Sequence, residues 1–361
     1  MRRIIPTNLL ILSLCWWLNT PLLAFADDAR PADHAVVLLY HHVADNTPPS
    51  TSIPVKGFIN QLNHLENKGY RVLPLLHIVN ALQNDELLPD NTVAITFDDA
   101  YASVFTNAWP ELQRRQLPFT VFVNTASISS QPTTYMSWSQ LEVLSNAGVV
   151  IGNHSHSHRH MLGNREQADW SEKVKLDIQQ AADRLQQQLG VTTQLFAYPY
   201  GEFDPALQNI VTASGLIGFG QHSGAISAEA DFTALPRFPI GGAYASVSRL
   251  ETAINSRPLP VNAQPANGAV MNPKKTTFEL NITVVDGPDD LSTLACYPST
   301  GTNLTLQPKG NRQFQIQLTN ITSAGRHKVN CTLPDPQQQG AYFWWSYLLM
   351  KPPGVNEWYQ Q

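Results

Sequence analysis

The sequence predicts an α/β protein, an irregular (β/α) barrel followed by a small all-β sandwich domain. Three observations predict it. Between about residues 35 and 255, short apolar runs alternate with helical patterns. That alternation argues for parallel strands joined by crossover helices. There are eight such runs, the strand number of a (β/α) barrel. After about residue 255 the helical pattern stops and short alternating strands take over.

The chain opens with Met1-Arg2-Arg3, a largely apolar run over 9–18, and Ala24-Phe25-Ala26. A basic start, a short apolar core and a small-x-small site read as a secretory signal peptide over 1–26. The run is too short to span a bilayer comfortably, although an uncleaved anchor is the other reading. An exported chain, periplasmic or extracellular, is therefore expected, with no transmembrane segment after cleavage. Arg2 and Arg3 leave with the leader, so the mature balance is more acidic than the −5 of the whole chain. A mildly acidic chain without basic runs is a poor nucleic-acid binder.

The barrel is expected over 27–255. Its candidate strands are 36–40, 70–73, 93–97, 119–123, 149–152, 195–198, 216–220 and 235–238. Helical patterns between them include 55–68, 103–115, 137–147 and 167–189. A linker is expected over 256–274, where Pro258, Pro260, Pro265, Gly268 and Pro273 cluster. The sandwich is expected over 275–361, with strands at 277–284, 294–297, 303–307, 313–318, 328–332 and 341–348. Cys296 and Cys331 both fall there and are expected to pair in an oxidising compartment. Trp344, Trp345, Tyr347 and Trp358 read as packing in preference to a sugar-stacking platform.

The ends of the strands carry the chemistry. The run ending at Tyr40 is followed by His41-His42, and that ending at Phe97 by Asp98-Asp99. The run over 149–152 leads to His154, His156 and His158, and that ending at Tyr198 leads to Pro199-Tyr200-Gly201. In a barrel these ends open on one face, where active sites form. Alone, adjacent aspartates are often explained by one capping the next helix. Held together, one can bind a cation while the other serves as a base. His154 and His158 with a carboxylate make a three-ligand catalytic zinc set. His156 and His160 leave open which histidines share a face. A histidine at 41 or 42 is either structural or a general acid, since its pKa lies near working pH.

Thr96-Phe97-Asp98-Asp99 resembles the first motif of the NodB-like polysaccharide deacetylases, carbohydrate esterase family 4. The run from His154 to His158 resembles the second motif, and that from Phe196 to Gly201 the third. The resemblance covers roughly 35–245. It implies a NodB-type barrel in which Asp99, His154 and His158 bind Zn²⁺ or another divalent metal such as Co²⁺ or Ni²⁺. It further implies Asp98 as general base and the Tyr200 N–H as an oxyanion donor. Three positions depart from the pattern. Ala100 stands where Gly is usual, and Ala197 stands where an Arg often orients the base. Arg237, placed among the substrate-binding residues, is the candidate for that guanidinium. The usual Leu-x-x-His motif is not found after residue 240. Leu39-Tyr40-His41-His42-Val43 instead resembles the start of the circularly permuted branch, which includes poly-N-acetylglucosamine deacetylases, and this points to His41 as the acid. The implied activity is release of acetate from the N-acetyl groups of a polysaccharide, with O-acetyl esterase activity or a degenerate glycan-binding role as the alternatives.

Overall fold

The computed structural model describes residues 31–360 apart from 132 and 300. The expected signal peptide over 1–26 lies outside the described residues. Nine strands form the main sheet: β1 (His34–Tyr40), β2 (Arg71–Val72), β3 (Thr92–Phe97), β4 (Thr120–Val123), β5 (Val150–Asn153), β6 (Leu195–Ala197), β7 (Ile217–Phe219), β8 (Ala225–Ser227) and β9 (Phe238–Pro239). Their order is β7-β6-β5-β4-β3-β1-β8, with β2 also on β3 and β9 also on β1. Only β8 runs antiparallel to its neighbour. Leu235 bridges to Phe219, and Phe238-Pro239 pair with Leu38-Leu39. One segment thus spans the gap between β7 and β1, and the curled sheet approaches a barrel.

Seven helices connect the strands: α1 (Val55–Asn67), α2 (Leu75–Gln83), α3 (Trp109–Arg114), α4 (Trp138–Asn146), α5 (Trp170–Leu189), α6 (Pro205–Ala213) and α7 (Val247–Ile254). In α1 the buried residues Phe58, Gln61, Leu62 and Leu65 follow the spacing of one helical face. Ser137 and Gln140 close a capping box at the start of α4. Gly190 ends α5 in the left-handed region. The helix expected over 103–115 starts as a wide turn over Val104–Ala108. Pro110 cannot donate a backbone bond there, so the regular helix starts late.

The strands alternate between two apolar layers. Val36, Leu38 and Tyr40 face the outer helices with Ile95, Phe97, Phe58 and Leu62. Ala35, Val37, Ala94, Phe122, Leu195 and Phe219 fill the interior, closed below by Ile78 and Leu82 of α2. Gly152 is required there, because a Cβ would come within 2.4 Å of the Phe122 ring. The same alternation carries Thr96 and Asp98 inward after Ala94.

The C-terminal region is a sandwich of two sheets. Its strands are β10 (Ser256–Pro258), β11 (Val261–Gln264), β12 (Ala269–Val270), β13 (Phe278–Val284), β14 (Ala295–Pro298), β15 (Asn303–Gly310), β16 (Gln313–Thr319), β17 (Gly325–Pro334) and β18 (Tyr342–Lys351). One sheet runs β10-β18-β17-β14 with β12 also on β18, and the other runs β11-β13-β16-β15. Cys296 and Cys331 sit opposite each other on β14 and β17 and are disulfide-bonded. The stretch expected as a linker over 256–274 instead supplies β10, β11 and β12. Pro258 is tolerated at the end of β10, which pairs on one side only, and Pro260, Pro265 and Pro273 fall between strands. Trp345 and Tyr347 pack on the sandwich core, and Trp344 meets Phe238 of the barrel at 5.3 Å. The two units share one apolar cluster, in which Leu348 and Met350 join Phe196, Tyr198 and Phe203.

Candidate active site

All the parallel strands end on one face, and their first loop residues meet there. Asp99 follows β3, His154 follows β5, and His158 closes the same loop. His154 Nε2 lies 3.4 Å and His158 Nε2 3.1 Å from Asp99 Oδ1. One ligand atom from each residue lies within 4.8 Å of the others. His154 Nδ1 hydrogen-bonds the Ala197 carbonyl at 2.7 Å, which places its proton there and leaves Nε2 as a lone-pair donor. That Nε2 is buried and has no hydrogen-bond partner. An orphaned imidazole nitrogen beside a carboxylate fits a divalent cation, since buried polar atoms are otherwise paired. Burial raises the Asp99 carboxyl, but the neighbouring His154 and His158 outweigh this and hold it well below the usual carboxylate range.

Asp98 turns the other way. It is fully buried, and Arg237 Nη1 and Nη2 donate to its two oxygens at 2.7 and 2.8 Å. Arg237 Nε donates to the Gly220 carbonyl at 2.9 Å. Burial raises the Asp98 carboxyl, while the Arg237 charge and hydrogen bonds lower it further than burial lifts it, so it stays a carboxylate. Arg237 is itself fully buried, behind Asp98 and over the Phe122 ring. Arg237, expected among the substrate-binding residues, thus has its guanidinium on the Asp98 carboxylate.

The backbone is strained around these groups. Among the described residues thirteen non-glycine positions have positive φ, and Asp99, Ala100, Ser155, His158 and Tyr200 are five of them. Such outliers persist where surrounding structure over-determines them, typically at functional sites.

The sequence profile of the polysaccharide deacetylase family matches residues 86–218. Over that segment the chain is similar to the polysaccharide deacetylases. A poly-β-1,6-N-acetyl-D-glucosamine N-deacetylase of Escherichia coli K12 is 24% identical over 216 residues, 49% of this chain and 32% of that protein. This chain thus spans about a third of that relative. A poly-β-1,6-N-acetyl-D-glucosamine N-deacetylase of Staphylococcus epidermidis is 25% identical over 56% of this chain and 78% of its own length. Among solved structures, IcaB from Ammonifex degensii superposes with a TM-score of 0.54 and 26% identity, covering 59% of this chain and 94% of that one. The Streptococcus pyogenes deacetylase PplD gives 0.55 at 23% identity, over 62% and 99%, and supports the fold.

The departures from the deacetylase pattern have structural counterparts. Ala100 has φ +54, which explains why glycine is the usual occupant. The Asp98 carboxylate takes its guanidinium from the segment closing the barrel, 139 residues further along the chain. His41 is half-buried and lies in the field of Asp99, Asp98, Arg237 and His154. Burial is the main cause that lowers its pKa. His42 stacks on Tyr101 at 3.6 Å.

His156 and His160 stand apart from the ligand group. His156 Nδ1 pairs with Thr125 Oγ1 at 2.8 Å, and His160 Nδ1 pairs with Glu202 Oε2 at 2.9 Å. Sequence reasoning missed Tyr101, which lies in the field of Asp99 and whose ring stacks on Tyr135 at 5.3 Å. It also missed Asn124, which donates to Asp99 at 3.4 Å, and Glu202. Tyr101 could have been noticed two residues after Asp99, whereas Tyr135 and Asn124 arrive only through folding.

Proposed function

We propose that this protein is an exported, metal-dependent hydrolase that removes N-acetyl groups from an N-acetylglucosamine-containing polysaccharide, releasing acetate and a free amine. The observation that carries the reading is the pairing of two adjacent aspartates with different partners: Asp99 with His154 and His158, and Asp98 with Arg237. Relatives whose names specify poly-β-1,6-N-acetyl-D-glucosamine N-deacetylation support the substrate class. The N-terminal signal-like segment and the Cys296–Cys331 disulfide support export. Among the described residues no helix is long and apolar enough to cross a membrane.

Asp99, His154 and His158 would hold the cation, with Zn²⁺ favoured by two imidazoles and one carboxylate. Bound there, a divalent ion supplies Lewis-acid polarisation and lowers the pKa of water. Asp98, kept ionised by Arg237, takes a proton from the water that attacks the acetyl carbonyl carbon. The Tyr200 N–H donates to the developing oxyanion. The carbon–nitrogen bond then breaks, and His41 gives its proton to the departing amine. A proton donor of this kind typically contributes ~10²–10⁴-fold.

Acetate release from β-1,6-linked N-acetylglucosamine oligomers tests the reading. Release is expected to stop with chelator and return with Zn²⁺ or Co²⁺. Full activity in Asp99→Ala would remove the ligand assignment. Turnover of O-acetylated glycans alone would replace the amide by an ester.

A further inference from the structure

The sandwich reaches the active-site loops through one buried carboxylate. Glu202 follows the third motif and is 1% exposed. Its Oε2 accepts from Trp358 Nε1 at 3.0 Å and pairs with His160 Nδ1 at 2.9 Å. Arg326 Nε lies 3.8 Å from its Oε1, and Arg326 Nη1 donates to the Tyr200 carbonyl. The Arg326 guanidinium also sits 5.7 Å from the centre of the Tyr200 ring. A carboxylate this deep is stable only with donors around it. Here the donors come from the second-motif loop and from the sandwich, while the acceptor belongs to the third-motif turn.

That turn needs holding. Tyr200 has φ +58 and Gly201 φ +67. A Cβ on Gly201 would come within 2.8 Å of the Gln221 backbone nitrogen. The Gln221 carbonyl in turn accepts from Lys328 Nζ at 2.6 Å. The Tyr200 ring stacks on His160 at 3.9 Å and lies 4.6 Å from the His158 ring. Any slack at Glu202 therefore passes to His158 along two routes, the Tyr200 ring and the short 158–160 segment.

We propose that Arg326 and Trp358 are positioning residues: acting through Glu202, they hold the Tyr200–Glu202 turn and the His158–His160 segment in working geometry, so the β-sandwich completes the active site. This rests on the roles proposed for His158 and Tyr200. Neither Arg326 nor Trp358 contacts Asp98, Asp99 or His154, and their effect is on placement.

The test uses the full chain with Arg326→Gln, Arg326→Lys and Trp358→Phe. Three quantities are read: kcat and KM for acetate release, Co²⁺ affinity by absorbance titration, and the unfolding midpoint of the metal-free protein. Arg326→Gln and Trp358→Phe are expected to lower kcat about tenfold with KM within about twofold. They are also expected to weaken Co²⁺ binding by roughly 10-fold or more, as outer partners of metal ligands do. Arg326→Lys keeps the charge and is expected to recover part of both losses. The metal-free midpoint of Arg326→Gln is expected to stay near that of the parent, since Arg326 is 38% exposed. The proposal is overturned if the combined Arg326→Gln, Trp358→Phe protein keeps parental kcat and Co²⁺ affinity. It is also overturned if the losses follow the unfolding midpoint and Arg326→Lys recovers nothing. Should the parent release acetate from no substrate, the deacetylase reading fails separately. Co²⁺ affinity then decides the clamp by itself, with weakening supporting it and no change overturning it.

Discussion

Arg237 and Asp98 form a fully buried, two-point ion pair, with guanidinium nitrogens 2.7 and 2.8 Å from the two carboxylate oxygens. The pair joins the end of β3 to the segment that closes the barrel, so the proposed base and fold closure share one contact. Arg237→Met would leave an uncompensated buried carboxylate, a change that typically costs about 3–5 kcal/mol. Arg237→Lys keeps the charge but loses the planar fork. Urea unfolding is expected to show the larger stability loss for Met. Steady-state assays are expected to show a kcat loss of about tenfold or more for Lys. Equal stability in all three proteins would contradict the pairing.

His41 and His42 have different surroundings. His41→Ala is expected to lower kcat by roughly 10²-fold or more, the scale of a lost general acid. His42→Ala removes a ring stacked on Tyr101 and is expected to act mainly on stability. Comparing kcat and thermal midpoints for the two variants checks this, and the reverse pattern would move the acid role to His42.

Metal binding should stabilise the fold. A ligand bound only to the native state adds about 2.7 kcal/mol at one hundred times its Kd. Calorimetry is expected to show a higher melting temperature with Zn²⁺ than with chelator. Asp99→Asn is expected to abolish most of the difference, and an equal Zn²⁺ shift in that variant would argue against the site.

Lys328 predicts a pH effect at the junction of the two units. Burial is the main cause that lowers its ammonium pKa to about 8, with the Arg326 charge adding to it. Between pH 8 and the ordinary lysine range the unfolded chain holds the extra proton, so this group makes stability rise with pH through that window. Denaturant unfolding at pH 7.5 and 9.5 is expected to show a larger alkaline gain in the parent than in Lys328→Met. The same gain in both would show that Lys328 is not the group responsible.

Much of this molecule is legible in the sequence because local patterns carry it. The period-two run Thr92–Phe97 delivers Asp98 and Asp99 to a strand end, and parallel strands bring the other ends to the same face. The helical spacing of Phe58, Leu62 and Leu65 announces the outer layer. The strands of the sandwich show by the same alternation. What escaped was either short or distant. Strand β8 has three residues, and the prolines between 256 and 274 read as a linker although three short strands lie among them.

The sequence by itself determined the alternating architecture, the strand-end chemistry and the family resemblance, because each depends on neighbours in the chain. Tertiary structure alone decided which groups pair. Of four closely spaced histidines it turned His154 and His158 to Asp99 and gave His156 to Thr125 and His160 to Glu202. It set Arg237 on Asp98, and it brought Arg326 and Trp358 to the third-motif turn. These pairings depend on side-chain directions in strained loops and on contacts between residues more than a hundred positions apart, which no local period records.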